Sequence, residues 1–311
     1  MTDDDRLASL FAEAGVDGYL HAVDLDTGRE MRHRAGEPVV LASVVKLGVL
    51  VELFRRFDAG EMAPEGRVRV TPAERSAGPT GLSVMKDDVE LSWRDLAQLM
   101  IAVSDNAATD VITLRLGKDP INATLRELGL GRTVLRGTCR EVYDGVMADL
   151  GLTLEQLSSP GRRADPERIR ASRQLSPEHG NASTPEGTTR LLGLIWRDEA
   201  ASPDSCAAMR RILYTQVWPH RLSSGFGDGV RIGAKTGTLF TWRNEAGVVE
   251  LPDGGRVAVA VFTRDHDPSR RHNPAADAVI GTAARLAVDQ LSRIPPPVRG
   301  EEPGSRRTTD A

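Results

Sequence analysis

Ser43 and Lys46 are the first residues of this 311-residue chain whose types and spacing suit a chemical reaction. In Ser43-Val-Val-Lys46 they stand three positions apart, which places two side chains on one face of a helix. A serine hydroxyl becomes a nucleophile when a neighbouring group accepts its proton. The run from Val39 to Phe54 is apolar except for Ser43, Lys46 and Glu52. Desolvation in such surroundings lowers the pKa of a lysine, so the amine can act as a base. The pair therefore predicts acyl transfer at the start of a buried helix.

A second stretch with the same spacing, Ser83-Val-Met-Lys86, weakens the pattern when it is taken alone. Ser83 follows Gly78-Pro-Thr-Gly81 and Lys86 precedes two aspartates, a composition typical of an exposed loop. We therefore interpret Ser83 and Lys86 as a chance match. On this pattern alone, an ordinary helix start remains an open alternative for Ser43.

Two further triplets supply groups that could assist such a nucleophile. Ser104-Asp105-Asn106 falls where one helical pattern ends and the next begins, and taken alone it is an N-cap cluster. Lys235-Thr236-Gly237 falls at the end of a strand pattern, and taken alone it is a basic residue beside a turn. The order S-x-x-K, S-D-N and K-T-G in one chain is typical of class A β-lactamases and penicillin-binding proteins.

The chain resembles that family over most of its length, from roughly residue 15 to residue 290. Trp93–Thr109 resembles the family's helix and S-D-N segment, and Ser183-Thr-Pro185 resembles the helix start after its long loop. Val230–Thr238 and the following Arg243-Asn-Glu-Ala-Gly247 resemble its active-site strand and the strand beside it.

The resemblance implies a role for each matching residue in the chemical step. Ser43 would attack the acyl carbonyl, and Lys46 would take or relay its proton. Ser104 would pass a proton to the departing nitrogen with help from Lys235. The backbone N–H groups of Ser43 and Thr238 would form the oxyanion hole.

The resemblance also implies residues that bind the substrate. Asn106 would hydrogen-bond a side-chain amide of the substrate, and its carboxylate would be received by Lys235, Thr236 and Arg243. Gly237 has no side chain, so the substrate can lie along the edge of the strand.

One expected part of the family pattern is missing. Class A β-lactamases hydrolyse the acyl-enzyme with a glutamate in an E-x-x-L-N motif, and this chain has no such motif. Glu141 lies nearest to the expected place, although Glu141-Val-Tyr-Asp-Gly145 lacks both the Leu and the Asn. Asp144 is a second candidate, and ordinary loop carboxylates are the alternative for both.

The hydrophobic patterns place these residues in an α+β fold. Strand patterns at both ends of the chain predict one antiparallel sheet flanked by helices. The resemblance implies five strands and an inserted all-helical sub-domain. We expect residues 1–58 and 218–292 to form the α/β sub-domain and residues 59–217 the helical one. Residues 60–90 and 137–180 show no clear regular pattern, and residues 293–311 are expected to be a disordered tail.

The composition and charge of the chain limit the kinds of partner that we expect it to bind. With 40 basic and 44 acidic residues the net charge is −4, which does not favour a nucleic-acid-binding face. No run of about 18 apolar residues predicts a membrane span. The acidic start, Met1-Thr-Asp-Asp-Asp-Arg6, lacks the pattern of a secretory signal, so we expect a cytoplasmic protein, or a secreted one if a signal had been removed. Cys139 and Cys206 are expected to be two free cysteines rather than a disulfide. We expect a monomer without a metal or cofactor.

The sequence therefore predicts a serine hydrolase that forms an acyl-enzyme on β-lactam or related amide bonds. A cytoplasmic esterase, peptidase or acyltransferase using the same site is one alternative. A penicillin-binding protein that is acylated with little turnover, or a non-catalytic relative, is the other.

Overall fold

Strands from both ends of the chain form the central sheet of the computed structural model, which describes residues 2–159, 163–270 and 272–293. The strands of the described residues are β1 (Val16–Asp24), β2 (Glu30–His33), β3 (Val39–Val40), β4 (Arg67–Val70), β5 (Val89–Ser92), β6 (Ala182–Ser183), β7 (Arg231–Leu239), β8 (Trp242–Glu250) and β9 (Arg256–Asp265). Five of them pair antiparallel in the order β2-β1-β9-β8-β7. The predicted α+β fold with a five-stranded antiparallel sheet is confirmed.

Helices cover both faces of this sheet. In the described residues they are α1 (Asp3–Glu13), α2 (Lys46–Asp58), α3 (Trp93–Ala102), α4 (Asn106–Leu116), α5 (Lys118–Glu127), α6 (Cys139–Leu150), α7 (Leu154–Ser158), α8 (Pro166–Ala171), α9 (Pro185–Trp196), α10 (Pro203–Leu213) and α11 (Pro274–Arg293). Apolar residues of α1 and α11, such as Phe11 and Ile280, pack on one face of the sheet. The opposite face packs on a larger core that includes α2, α9 and α10.

Local capping explains where the helices around the site begin. The Ser92 hydroxyl accepts the Asp95 N–H at the start of α3. Asp105 accepts the N–H groups of Ala107 and Ala108 at the start of α4. Each such cap stabilises a helix by about 1 kcal/mol. The two caps therefore set the short turn between α3 and α4, where the S-D-N triplet lies.

Two segments differ from the sequence-based expectation. Residues 60–90 contain β4 and the first two residues of β5, which pair antiparallel and which the irregular pattern did not reveal. Residues 137–180 contain the helices α6, α7 and α8. Residues 294–311, most of the predicted disordered tail, lie outside the described residues, whereas Arg293 is the last residue of α11. The proposed division into two sub-domains stays a prediction.

Two other expectations concern the thiols and the membrane. Cys139 and Cys206 are both free, as expected. None of the helices between residues 2 and 293 that the structure describes is long and apolar enough to cross a membrane.

Candidate active site

Ser43 lies in a 3-10 turn, Ala42–Val45, that leads directly into α2. Ala42 has a φ of 47°, in the left-handed region that a residue with a side chain rarely adopts. The Asn244 side chain of β8 donates to the carbonyl oxygens of Val40 (2.9 Å) and Leu41 (3.2 Å). These bonds from the sheet hold the chain just before Ser43, so the strained turn is supported by its surroundings.

The Lys46 amine is fully buried and bonded to three oxygen atoms. Its Nζ lies 2.7 Å from Ser104 O, 3.0 Å from Asn106 Oδ1 and 3.2 Å from Ser104 Oγ. Burial lowers the pKa of Lys46, and the nearby Cys139 and Asp105 act in the opposite direction. The structure thus brings the S-x-x-K lysine to the S-D-N triplet, whereas Ser43 Oγ makes no hydrogen bond within the described part of the chain.

Ser104 and Asn106 occupy the turn between α3 and α4. Ser104 has a φ of 60°, a second left-handed backbone conformation beside the same amine. Asn106 donates from Nδ2 to Ala77 O at 3.0 Å while its Oδ1 accepts from Lys46. The Asn106 amide therefore positions Lys46 as well as facing the cleft, a role that the motif did not indicate.

Lys235 and Thr236 lie on β7, the edge strand of the sheet. Lys235 is fully buried, and its Nζ donates to Thr236 O at 2.9 Å. Burial, followed by the like charge of Lys46, holds the pKa of Lys235 well below 10.5. The charge of Lys46 is thus close enough to disfavour the charge of Lys235. Thr236 lines the cleft, whereas Lys235 lies behind it.

Close packing is one reason for a glycine at position 237. A Cβ at this position would lie 2.7 Å from Leu41 O, 3.1 Å from Val44 Cγ2 and 3.2 Å from Ser43 N. The expectation that its missing side chain makes room for substrate along the strand edge stays a prediction. Gly237 lets β7 pack against the turn that carries Ser43.

Two cavities meet at Ser43. A small one of about 40 Å³ has room for a few water molecules, since one needs roughly 10–15 Å³. A larger cleft of about 420 Å³ extends along the edge of β7. Ser43, Asn106, Tyr143 and Thr238 line both of them.

Arg221 lines the cleft, whereas Arg243, for which the resemblance implied a substrate-binding role, does not. Arg243 is 3% exposed, and its Nη1 lies 3.9 Å from Asp265 Oδ2. Arg221 donates from Nη2 to Thr238 Oγ1 at 2.8 Å. Its Nε donates to Asp277 Oδ1 at 2.7 Å, which holds the guanidinium in place. No motif surrounds Arg221, so the sequence offered no signal for it.

Glu141, the proposed deacylation base, lines neither cavity. Its side chain is 54% exposed and forms an ion pair of 2.8 Å with Lys118. It also accepts the Thr138 N–H in the capping box of α6. The Lys118 hydrogen bond, followed by that backbone bond, lowers the pKa of Glu141. Asp144 is exposed and lines neither cavity. The structure therefore does not bring either carboxylate to Ser43.

The titratable groups beside Ser43 in the small cavity are Lys46, Cys139 and Tyr143; no carboxylate lines it among the described residues. Burial raises the pKa of the Cys139 thiol to about 12, and the adjacent Asp110 carboxylate acts in the same direction. Burial also raises the pKa of Tyr143. Both groups therefore hold their protons at neutral pH and are poor bases.

Ser83 and Lys86 do not form a second reactive pair. Ser83 Oγ donates to Asp105 Oδ1 at 3.3 Å and accepts the Ala107 N–H at 3.2 Å. Lys86 is exposed. Ser83 thus supports the cap of α4 beneath the S-D-N turn.

The described residues contain no metal-binding cluster of His, Cys, Asp or Glu.

Comparison with known proteins identifies the family. The model of the β-lactamase enzyme family matches residues 4–291 of this chain. The chain therefore belongs to this family, whose members act on small-molecule β-lactams, and it is a serine β-lactamase-like hydrolase. The resemblance inferred from the three motifs is confirmed.

Individual relatives cover nearly the whole chain. The β-lactamase regulatory protein BlaB of Streptomyces cacaoi is 29% identical over 92% of this chain and 96% of its own. A β-lactamase of Streptomyces albus G is 24% identical over 92% of this chain and 83% of its own. The crystal structure of a β-lactamase from Sphaerobacter thermophilus superposes with a TM-score of 0.75 at 28% identity, over 95% of this chain and all of the other.

Proposed function

We propose that the protein opens β-lactam rings by transferring the acyl group to Ser43. The hydroxyl attacks the ring carbonyl carbon, the C–N bond breaks, and the hydroxyl proton ends on the departing nitrogen. The observation that carries this proposal is the position of Ser43, which lies between the buried Lys46 and the edge of β7 and lines both cavities.

Burial favours a neutral amine at Lys46. Lys46 Nζ donates to Ser104 O, Asn106 Oδ1 and Ser104 Oγ, which are the three bonds that a protonated amine can donate. Loss of one proton would free a lone pair on Nζ that can accept a hydroxyl proton. We infer that Lys46 withdraws the proton of Ser43 and that Ser104 carries a proton onward to the nitrogen.

The oxyanion formed during attack needs two nearby N–H groups. The Ser43 N–H lies at the start of a helical turn, and the bare Cα of Gly237 lets β7 approach it closely, since a Cβ there would lie 3.2 Å from the Ser43 nitrogen. Thr238 follows on the same strand and lines both cavities. We infer that the N–H groups of Ser43 and Thr238 bind the oxyanion.

A carboxylate on the substrate would bind at the opposite end of the cleft. Arg221 uses one N–H for Asp277, two for Gly237 O and Asn244 O, and one for Thr238 Oγ1. A guanidinium has five N–H groups, so one is left over from these four bonds. We infer that this N–H, the Thr236 and Thr238 hydroxyls and the field of Lys235 receive the carboxylate.

Incubation with a chromogenic cephalosporin and with a penicillin, followed by intact mass over time, tests the proposal. We expect an adduct on Ser43 that is absent in Ser43→Ala. The matched control is Ser83→Ala, which removes the hydroxyl of the second S-x-x-K stretch and should still form the adduct. An adduct that survives Ser43→Ala would refute the assignment. Hydrolysis of simple esters without any β-lactam adduct would favour the esterase alternative.

Slow release of the acyl group is a second candidate outcome. The described part of the small cavity presents Cys139 and Tyr143 as protonated groups and no carboxylate that could activate water. The relative from Streptomyces cacaoi is named a regulatory protein, which suits a protein that detects β-lactams by retaining them. An adduct that persists while a hydrolysing control β-lactamase turns over many times favours this outcome, and rapid turnover contradicts it. The monomeric state and cytoplasmic location expected from the sequence stay predictions.

A further inference from the structure

The segment 215–221, which we call the cleft loop, connects α10 to the 3-10 turn Leu222–Gly225. Three of its side chains, Trp218, His220 and Arg221, line the cleft. A loop without regular secondary structure depends on bonds to its surroundings for its position. The position of the cleft loop therefore decides where the groups that face the substrate carboxylate lie.

Glu245 of β8 holds this loop near both of its ends. The residue is fully buried, and it pairs with Thr236 of β7 in the sheet. Its Oε1 accepts from Gln216 Nε2 at 2.6 Å, and its Oε2 accepts from the Leu222 N–H at 2.6 Å. One carboxylate thus bonds the residue at the beginning of the cleft loop and the residue that follows its end.

Gln216 extends the same chain of bonds to the active-site strand. Its Oε1 accepts the Thr236 N–H on the outer edge of β7. The amide of Gln216 is oriented by this network, because only its oxygen can accept from Thr236 and only its nitrogen can donate to Glu245. Both bonds to Glu245 come from N–H donors, so the carboxylate must accept twice.

We propose that ionised Glu245 is a positioning residue that clips the cleft loop to the active-site strand, and that its protonation loosens the loop and weakens the capture of carboxylate substrates. A protonated carboxyl keeps one good acceptor and gains a donor. That donor would meet the N–H of Leu222 or the amide nitrogen of Gln216. Rotation of the Gln216 amide does not relieve the conflict, because its nitrogen would then face the Thr236 N–H. This inference rests on the proposed role of Arg221 in binding substrate.

Burial, opposed by nearby hydrogen bonds and positive charges, places the titration of Glu245 in the neutral range. Burial is the largest influence and raises the pKa of Glu245 to about 7, and the Leu222 and Gln216 hydrogen bonds oppose it. Arg221 of the cleft loop and Lys235 of β7 also lower it. Asp277 of α11 lies beyond Arg221 and bonds its guanidinium. Glu245 therefore changes from mostly protonated to mostly ionised between about pH 6 and pH 8.

Burial of the charged Glu245 carboxylate destabilises the folded state, although the same charge is proposed to hold the cleft loop. A carboxyl whose pKa is higher in the folded than in the unfolded chain stabilises the fold at low pH, and this stabilisation is lost as the pH rises through the folded pKa. Glu245→Gln removes the charge with little change in shape. We therefore expect this variant to be more stable than the wild type at pH 8 and to hold its cleft loop less well. Substitution of a residue with a purely structural role would not raise the stability of the fold while weakening the attachment of the cleft loop.

Amide hydrogen exchange of the free protein tests the clip without any substrate. Between pH 8 and pH 6 the ionised fraction of a group with a pKa of about 7 falls roughly tenfold. We expect the protection of the Leu222 N–H, corrected for intrinsic exchange, to fall by a similar factor in the wild type. In Glu245→Gln it should be low at both pH values. Equal protection in both proteins at both pH values would overturn the proposal.

Acylation by benzylpenicillin, followed by intact mass at pH 6 and pH 8, tests the consequence for the substrate. The ratio of the acylation rate constant of Glu245→Gln to that of the wild type should be several-fold lower at pH 8 than at pH 6. The matched control is Glu52→Gln, which changes an equally buried glutamate that bonds Arg56 and Thr124 away from the cleft. Its ratio should be the same at both pH values. A pH-independent ratio for Glu245→Gln would contradict the proposal.

Two measurements remain informative if one variant or the proposed function fails. If Glu245→Gln does not fold, Gln216→Leu should abolish protection of the Thr236 N–H and leave the pH dependence of the protection of the Leu222 N–H. Retained protection at Thr236 together with a lost pH dependence at Leu222 would overturn the proposal. If no β-lactam acylates the wild type, the proposed function fails, and the exchange data alone still decide whether Glu245 holds the cleft loop.

Discussion

Gly237→Ala is the most direct test of how the sheet and Ser43 are fitted together. The new Cβ would lie 2.7 Å from Leu41 O and 3.2 Å from Ser43 N. Carbon-to-oxygen contacts in proteins are rarely closer than about 3.3 Å, so β7 and the Ser43 turn would separate by roughly 0.6 Å. This separation would move the Thr238 N–H away from the oxyanion position.

The size of both expected effects follows from that displacement. Overpacking of a tightly packed core destabilises a protein by about 1–3 kcal/mol, and we expect a loss of about 2 kcal/mol from Gly237→Ala. A misplacement of about 1 Å can slow an enzymatic step about 100-fold, so a shift of about 0.6 Å should slow acylation roughly 15-fold. Urea unfolding measures the first quantity, and the rate of adduct formation by intact mass measures the second.

The control is the same substitution at Gly36, an exposed glycine whose added Cβ would meet no atom within 4 Å. Gly36→Ala should keep the wild-type stability and acylation rate. If Gly237→Ala also acylates at the wild-type rate, then packing of β7 against the turn does not position the oxyanion donors. A drop in stability without a change in rate would refute the same reasoning, because it would separate the packing from the reaction.

Substitutions at four other residues have defined outcomes. Arg221→Met should lower the acylation efficiency of carboxylate substrates roughly 10- to 100-fold, as expected for the loss of a charged hydrogen bond, and an unchanged efficiency would contradict this role. Glu141→Gln should leave the lifetime of the adduct unchanged, since this carboxylate bonds Lys118 and a helix cap; a longer lifetime would show that it does activate water. Cys139→Glu should shorten the adduct lifetime at least about 100-fold by adding a base to the small cavity, whereas Cys139→Gln should not. The free energy of unfolding of the wild type should fall by up to about 3 kcal/mol between about pH 4.5 and pH 7, because its folded state binds more protons than its unfolded state in this range. In Glu245→Gln this fall should be absent. Parallel pH profiles of the two proteins would exclude a raised pKa of Glu245.

The fold was predictable where a segment carries its own pattern. The cap of α3 at Ser92 and the end of α4 at Gly117 lie where local hydrogen bonding and backbone freedom require them. Residues 60–90 and 137–180 were not predictable, because their short elements have few apolar residues each. The hairpin of β4 and β5 has only Val70 and Ser92 fully covered, so neither strand shows a clear alternation of buried and exposed residues. Its register depends on pairing rather than on composition.

The residues of the candidate site likewise divide into those that the motifs indicated and those that only the structure could distinguish. Ser43, Ser104 and Asn106 stand in motifs whose order along the chain pointed to one centre, and the structure places them around one cleft. Arg221 and Arg243 are both arginines near the last strands, and no local feature tells which one faces the cleft. The register of β7 and β8 sets Arg243 opposite Thr238 on a covered strand, while Arg221 lies on the cleft loop, lines the cleft and donates to Thr238 Oγ1.

The sequence by itself indicated the candidate serine, the resemblance to the family and an antiparallel sheet built from both ends of the chain, because motif order and hydrophobic periodicity are local properties of the chain. The number of strands in that sheet followed from the resemblance. Only the tertiary structure decided that Arg221 rather than Arg243 lines the cleft, that Glu141 lines neither cavity, and that Glu245 bonds residues near both ends of the cleft loop. Those outcomes depend on burial and on hydrogen-bond partners that lie far away along the chain, such as Leu222 and Gln216 for Glu245. The charge and the direction of a side chain are set by such partners, and a residue's type and spacing do not reveal them.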